Sequence, residues 1–422
     1  MDVELVTIGA ELLLGLTLDT NAADLARTLA SVGARVVRRT TVSDDAGAIR
    51  DAVAAALGRS RFVITTGGLG PTNDDVTKQA VAEVYGVRLV LDDVYLARLE
   101  QRWRRLGRAG PMPVANRSQA MLPEGATVLS NPRGTAPGLW LEDGRGVVVL
   151  LPGVPHELCA LAADEVAPRV AQRAGGSVIL SRVLRTTGIA ESQLADRIGP
   201  VEPQLRPATL AYLPSFDGVD LRVTVWSGPR AEAEALLGRA AAAMRPLLAP
   251  WYYGEDGADL AAVVLDRARD AGARLATAES CTGGLVAARL TAIPGASATF
   301  AGGVVAYDNA VKTGELGVAQ ELLAIHGAVS EPVVLAMADG ARARFGADTA
   351  VAVSGIAGPN GGTADKPVGT IWLAGSWRDV HRTLRLALPG DRAEIRARAT
   401  QAALNLLRRM LEGPSDAPVV VH

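Results

Sequence analysis

The segment Ala278-Glu279-Ser280-Cys281-Thr282-Gly283-Gly284 carries the residue types most able to do chemistry. It stands where an apolar run, Arg274 to Ala278, gives way to a helical pattern that starts at Thr282. A serine at such a turn is a candidate nucleophile, but its hydroxyl needs a base within hydrogen-bond reach. His156, His326, His381 and His422 are the only histidines, and none has a triad-like context. The base on offer is Lys312, in Tyr307-Asp308-Asn309-Ala310-Val311-Lys312, because a Ser–Lys pair is a known solution for acyl transfer. Tyr307 is placed to relay or hold a proton. Amides at the helix start would face an oxyanion. Two alternatives stay open: Ser280 caps the helix and Lys312 is a solvated side chain, or Cys281 is the nucleophile. Against Cys281 stands the frequency of small buried cysteines.

Lysine is scarce. Of 43 Lys+Arg, 40 are Arg, and the three lysines are Lys78, Lys312 and Lys366. A guanidinium stays protonated, whereas a buried ammonium can give up its proton. A chain that uses Arg almost everywhere makes each remaining Lys a candidate for work that Arg cannot do.

Two loops belong with the Ser280 turn. Ser354 to Gly362 follows a strand, and its glycines allow close backbone approach to a phosphate. Lys366-Pro367-Val368-Gly369-Thr370 opens the next strand. Thr282, Gly283, Gly284, Asn309, Ser354, Gly355, Gly358 and Lys366 form the expected substrate-binding set. Ser330-Glu331-Pro332 reads as an N-cap with Pro in the first turn.

In the N-terminal part, Thr65 to Asp75 lies between a strand and a helix. Gly67, Gly68 and Gly70 permit close approach, and with Asn73, Asp74 and Asp75 they point to a nucleotide or pyrophosphate held with a divalent metal. A plainer reading has Asn73 capping the helix and the two Asp complementing its dipole. Gly9 to Gly15, which contains Glu11, is similar. So are Asn131 to Gly138, with Asn131, Gly134 and Thr135, and Leu151 to Glu157. Four such loops are expected on one sheet edge.

The elements that must position these residues follow from patterning. From Val3 to about Val166, strands near Leu5–Gly9, Ala34–Val42, Arg61–Thr66 and Gly146–Leu151 alternate with helices Asn21–Val32 and Ala46–Leu57. That alternation predicts a mostly parallel sheet covered on both faces. Residues 171–252 form a small α+β unit, and 256–413 return to α/β. The expected organisation is therefore two α/β domains, 1–170 and 256–413, joined by the small unit, with a loose tail at 414–422. Asp391 with Glu394 signals a capped last helix.

The chain has 422 residues, 49% hydrophobic and 21% charged, with a net charge of -2. Near-neutrality argues against a protein built to wrap nucleic acid or coat a membrane. No apolar stretch has the length of a membrane span. The start, Met1-Asp2-Val3-Glu4, lacks a signal-peptide profile. Cys159 and Cys281 are the only cysteines and give no disulfide framework, so a reducing cytoplasm is expected. The basic run Arg102 to Arg108 reads as a solvated amphipathic helix.

Segments 278–284, 307–312, 327–331, 354–359 and 366–370 together resemble the nicotinamide mononucleotide deamidase family, the C-terminal domain of the competence/damage-inducible protein CinA. The resemblance implies hydrolysis of nicotinamide mononucleotide to nicotinic acid mononucleotide and ammonia without a cofactor. Ser280 matches the family's nucleophile and Lys312 its base, with Tyr307 beside them. Residues 1–170 resemble the molybdopterin-binding fold and, more closely, the N-terminal domain of CinA. That implies metal-dependent cleavage of ADP-ribose to AMP and ribose 5-phosphate, with a divalent ion and an accompanying monovalent cation. Asp74, Asp75 and Glu11 are the candidate ligands and Glu157 a weaker one. A binding module that holds a pterin or nucleotide without hydrolysis is the rival reading. The middle unit resembles the KH-like domain of the same protein, but Thr187-Gly188-Ile189-Ala190 is its nearest approach to a G-x-x-G loop. Nucleic acid is therefore not expected as a partner. The partners implied are small nucleotides and a second copy of the chain; a non-enzymatic role in DNA uptake or repair is the other alternative.

Overall fold

The computed structural model describes residues 1–105 and 110–412. They form two compact units, one of residues 1–180 with 225–235 and one of 181–224 with the chain from 236 onward.

In the first unit the strands are β1 (Asp2–Ile8), β2 (Arg35–Val42), β3 (Phe62–Thr66), β4 (Leu89–Leu91), β5 (Met121–Pro123), β6 (Thr127–Leu129), β7 (Gly138–Asp143) and β8 (Gly146–Leu151). One sheet has the order β2-β1-β3-β8-β7-β6, and β4 pairs with β5 in a separate ribbon. β2, β1, β3 and β8 are parallel, as alternation with helices requires, while β7 runs antiparallel to β8 and β6 turns back antiparallel to β7. The helices are α1 (Ala10–Leu13), α2 (Thr20–Ser31), α3 (Ala46–Ser60), α4 (Thr77–Tyr85), α5 (Asp93–Arg105), α6 (Pro155–Leu161) and α7 (Ala167–Arg173). β3 and β8 are buried on both faces, which is why they read as unbroken apolar runs. Val3 and Leu5 enter one core with Leu25 and Leu29 of α2, whereas Val6 and Ile8 enter the other with Ile49 and Val53 of α3. The basic run is helical as far as Arg105, and its residues 106–108 lie outside the described residues.

In the second unit β9 (Leu180–Thr186), α8 (Glu191–Ile198), β10 (Thr209–Pro214), β11 (Val219–Val225), α9 (Arg230–Leu248) and β12 (Tyr252–Glu255) build a four-stranded sheet of order β10-β11-β9-β12. Next come α10 (Leu260–Asp270), β13 (Leu275–Glu279), α11 (Leu285–Thr291), β14 (Phe300–Val305), α12 (Asn309–Leu316), α13 (Gln320–His326) and α14 (Glu331–Phe345). The chain closes with β15 (Thr349–Gly355), β16 (Thr370–Trp377), β17 (Val380–Ala387) and α15 (Arg392–Leu411). Their sheet runs β14-β13-β15-β16-β17, with the first three strands parallel.

Period-2 alternation divides the two faces of this sheet. Val351, Val353 and Leu373 meet α10 and α15, whereas Ala350, Ala352 and Ala374 meet α14. The expected capping box is present: Asp391 accepts from Ala393 and Glu394, and Glu394 accepts from Asp391. β14 carries Gly302 and Gly303 and was not expected as a strand, because glycine weakens the strand signal. Its Gly303 lies where a side chain would meet Thr277 of β13.

The small sheet is closed on the second unit's own α15. Gln401 donates to the Asp217 carbonyl (2.9 Å), and its carbonyl accepts from Arg289 (2.7 Å). Thr187, which opens the nearest approach to a G-x-x-G loop, is buried and accepts from Gln401 (3.4 Å). No helix among the described residues is long and apolar enough to cross a membrane.

Candidate active site

From β13 the chain moves to β14 on one side, then crosses to β15 on the other. Such a switch point opens a crevice at the carboxyl ends of the strands. Ser280 stands there, its amide donating to the Val353 carbonyl (2.9 Å). Gly283 and Gly284 follow at φ +61 and +94, a region natural only to glycine, and turn the chain into α11.

Glu279 governs this turn. Its carboxylate is 1% exposed and accepts from the amides of Gly284 (3.0 Å), Val286 (3.0 Å) and Ala287 (2.8 Å). The expectation that the helix-start amides await an oxyanion is therefore corrected: Glu279 has taken them. Among the described residues no oxygen accepts from the amides of Cys281 and Thr282, which meet the Cys281 sulfur instead. Arg396 of α15 brackets the same turn, donating to the carbonyls of Cys281 (3.1 Å) and Thr282 (2.8 Å).

Lys312 on α12 is 1% exposed. Its amine donates to the carbonyls of Ala306 (2.8 Å) and Tyr307 (3.3 Å), and no carboxylate among the described residues pairs with it. Burial holds its pKa below the ordinary lysine value, opposed by Asp308 and Cys281. A neutral amine has two N–H donors and one lone pair, so two carbonyls match the neutral form and leave the lone pair open. The Ala306 amide in turn donates to the Glu279 carbonyl (2.7 Å), which ties this amine to the residue before Ser280. No hydrogen bond joins Ser280 to Lys312 directly among the described residues.

Tyr307 takes a different part from the one expected. Its side chain is 62% exposed and its hydroxyl accepts from Arg392 (2.8 Å), so its carbonyl, not its phenol, meets Lys312. Cys281 is buried, and desolvation pushes its thiol up to about 12. Burial thus keeps the thiol in its neutral form at neutral pH, the environment of a small buried cysteine.

Arg392 also donates to the Gly358 carbonyl (2.7 Å) and, with Arg396, lines a cavity of about 560 Å³ beside Gly358 and Val368. Sequence reading missed both arginines. Their signal was two cations one turn apart at a helix start, where the dipole disfavours them. Of the expected binding set, Gly358 lies at this cavity. Thr282 is fully buried with an unpartnered hydroxyl, so only its amide is available. Ser354 spends its hydroxyl on the Ala328 carbonyl (2.6 Å), and Gly355 lies against Ile371. Lys366 donates to the His326 carbonyl (2.9 Å), and Asn309 is the exposed first residue of α12. Ser330 is at the N-cap as expected, but its hydroxyl donates back to the Gly327 carbonyl (2.8 Å) instead of accepting.

In the first unit, the loops after β1, β3 and β8 leave the same edge, and β7 begins beside the end of β8, which brings the 131–138 loop there too. Asn21 donates to the Gly153 carbonyl (2.7 Å), and Asn131 to Glu157 (2.6 Å). Gly134 leaves the space that Glu157 fills, since a Cβ there would overlap its carboxylate. Thr135 accepts from Tyr95 through its carbonyl (3.0 Å). Gly67 accepts from the Thr77 hydroxyl (2.9 Å), and the Gly68 carbonyl from the Thr77 amide (3.3 Å).

Asp75 does not reach outward. It accepts from the Gly70 amide (2.7 Å), the Thr72 amide (2.8 Å) and the Thr72 hydroxyl (2.5 Å), and so holds its own loop. Nor does Asn73 cap α4: the helix starts at Thr77, with Val76 at the N-cap and no side-chain cap. Asp74 is exposed, with its carboxyl held below the usual range by Thr72. Glu11 is exposed and lines a small cavity with Asp19 and Asn21. Among the described residues no three His, Cys, Asp or Glu side chains converge on a metal position. The expected set of Asp74, Asp75 and Glu11 therefore does not fit a divalent ion held by the protein alone.

Residues 257–411 match the CinA C-terminal domain, 181–254 the CinA KH domain, and 4–172 a probable molybdopterin binding domain. A CinA-like protein of Gemmatimonas aurantiaca is 55% identical over 97% of this chain and 96% of its own length. This chain belongs to the CinA family. A putative competence-damage inducible protein of Symbiobacterium thermophilum is 45% identical over 99% of this chain and all of its own. Among solved structures, a competence/damage inducible protein of Agrobacterium tumefaciens is 43% identical over 36% of this chain and 93% of its own, with a TM-score of 0.35. The three CinA-family segments thus follow the order expected from the sequence, with the KH-like unit in the middle.

Proposed function

We propose that this chain hydrolyses the carboxamide of nicotinamide mononucleotide to nicotinic acid mononucleotide and ammonia at the Ser280 turn. The observation that carries this reading is Lys312, a buried amine without a carboxylate partner, tied through Ala306 to the residue before Ser280. The Ser280 oxygen bonds to the carboxamide carbon as its proton passes to the Lys312 amine. Lys312 returns that proton to the nitrogen, the C–N bond breaks, and ammonia leaves an ester on Ser280. Water then gives a proton to Lys312 and its oxygen to the acyl carbon; the ester C–O bond breaks as Lys312 passes that proton to the Ser280 oxygen, which releases the acid and restores the hydroxyl and the neutral amine. The amides of Cys281 and Thr282, which no oxygen among the described residues takes, are donors for the oxyanion, and Arg392 is the cation for the substrate phosphate. The test is to supply nicotinamide mononucleotide and measure ammonia and the acid product. Full activity in Lys312→Arg sinks the pair, because Arg cannot act as base.

The N-terminal edge is assigned ADP-ribose, cleaved to AMP and ribose 5-phosphate. Four loops gathered on one edge support a nucleotide site. With Asp75 committed to its own loop, no step is written through a metal, and binding without hydrolysis is the second reading that this same observation favours. AMP release from ADP-ribose, measured with and without magnesium or manganese, separates the two. The chain is assigned as a homodimer, checked by its mass in solution.

A further inference from the structure

On α5, Arg98, Arg102 and Arg105 fall at i, i+4 and i+7, on one face of the helix. With Tyr95, Asn131 and Gly134 they line a cavity of about 410 Å³. Several arginines of the same unit are paired: Arg27, Arg35, Arg39, Arg50, Arg59 and Arg88 all meet carboxylates. Among the described residues, none of the three on this face does. Arg102 donates to the Pro132 carbonyl (2.7 Å), and its buried Nε has no partner.

The helix dipole does not explain the arrangement. It favours cations in the last turn, which covers Arg102, Arg104 and Arg105 but not Arg98. Arg104 nevertheless lines a different cavity, and Arg98 lies mid-helix. The wall opposite is rigid: the Asn131 carbonyl oxygen accepts from the amides of Arg133 (3.1 Å) and Gly134 (2.9 Å). Those amides are spent, so recognition of a ligand falls to the guanidiniums. The nearby carboxylate is Glu157, buried and held by Asn131 (2.6 Å).

We propose that this cavity is a binding site for a phosphate or pyrophosphate group, with Arg98, Arg102 and Arg105 as its cationic face. Three forked donors converging on one pocket suit a tetrahedral dianion or a diphosphate better than a single carboxylate. The proposal rests on the reading of this edge as a nucleotide site, and it names the part of the edge that takes the phosphates.

The test uses the full chain in metal-free buffer with inorganic pyrophosphate as probe, followed by titration calorimetry. Arg98→Ala with Arg105→Ala removes two exposed side chains that hold no part of the loop, so the fold survives. Expected is pyrophosphate binding in the parent chain, weakened at least 10-fold in the double variant and reduced by added salt. Unchanged affinity in the double variant overturns the proposal, as does absence of binding at millimolar pyrophosphate in the parent. Turnover of ADP-ribose is measured separately on the parent chain. No AMP release with arginine-dependent pyrophosphate binding refutes hydrolysis and leaves the anion site standing. AMP release with unchanged pyrophosphate affinity in the double variant does the reverse.

Discussion

The two sheet edges are built alike and equipped differently. Each opens at a switch point, with glycine-bearing loops leaving the carboxyl ends of parallel strands. At the C-terminal edge the carboxylate, Glu279, serves the backbone, and the buried cation, Lys312, is left with carbonyl partners alone. At the N-terminal edge Asp75 also serves the backbone, but the buried cation there, Lys78, feels its charge as well as donating to the Ser118 carbonyl (2.5 Å). In both places an acidic residue organises a turn, and of the two only Asp75 was expected to do chemistry. Both amines feel a neighbouring aspartate, Asp308 at one edge and Asp75 at the other; the difference is that the Lys312 amine is tied through Ala306 to the residue before Ser280.

The strongest test of that contrast is Ser280→Ala, which should remove carboxamide hydrolysis by at least about 10³-fold while pyrophosphate binding is unchanged. Lys312→Met should cost about as much. In the parent chain kcat/KM should rise with pH as Lys312 loses its proton, with a midpoint below the ordinary lysine value. A pH-independent rate across that range breaks the comparison. Arg392→Ala should raise KM roughly 10-fold or more with a smaller change in kcat, read from initial rates at varied substrate. An equal fall in kcat would move Arg392 from binding to chemistry.

Smaller effects separate the carboxylates and the amines. Glu279→Ala strands buried amides and should cost about 1–3 kcal/mol in denaturant melts. Asp75→Ala, at a half-exposed loop where water can replace the carboxylate, should cost less. Lys78 has a pKa lowered to about 8 by burial. Its charged form therefore penalises the fold below about pH 8, and the penalty fades as pH rises toward 10.5. Parent stability relative to Lys78→Met should grow across that window by about 3 kcal/mol, at about 1.4 kcal/mol per pKa unit. A flat difference would show that the amine is solvated.

What the sequence made legible is local. Ser280, Gly283 and Gly284 announce the turn because neighbouring residues determine a turn, and Asp391 with Glu394 announce their helix for the same reason. Gly146 to Leu151 was readable because a strand buried on both faces has no polar interruption. The direction of a carboxylate was not readable. Glu279 and Asp75 each had an outward and an inward choice, and only the position of the following amides decides it. Arg392 and Arg396 reach Tyr307 and Cys281 across 85 and 115 residues, a distance that no window of sequence spans. The scarcity of lysine proved a useful filter: Lys78 and Lys312 are both buried, and Lys366 is half-buried.

The same separations bear on how the C-terminal centre comes into being. The Glu279 bonds close over five to eight residues, and that of Lys312 to Ala306 over six. Loops this short close at little entropic expense and form early. The bracket from Arg396 has to wait for the last helix. During synthesis the Ser280 turn can thus take shape on the ribosome, while the carbonyls of Cys281 and Thr282 stay unbraced until the C-terminal helix has emerged and docked. A chain truncated before α15 would lose that bracket together with Ile395, Ala399 and Leu406, which pack in the core beneath the sheet.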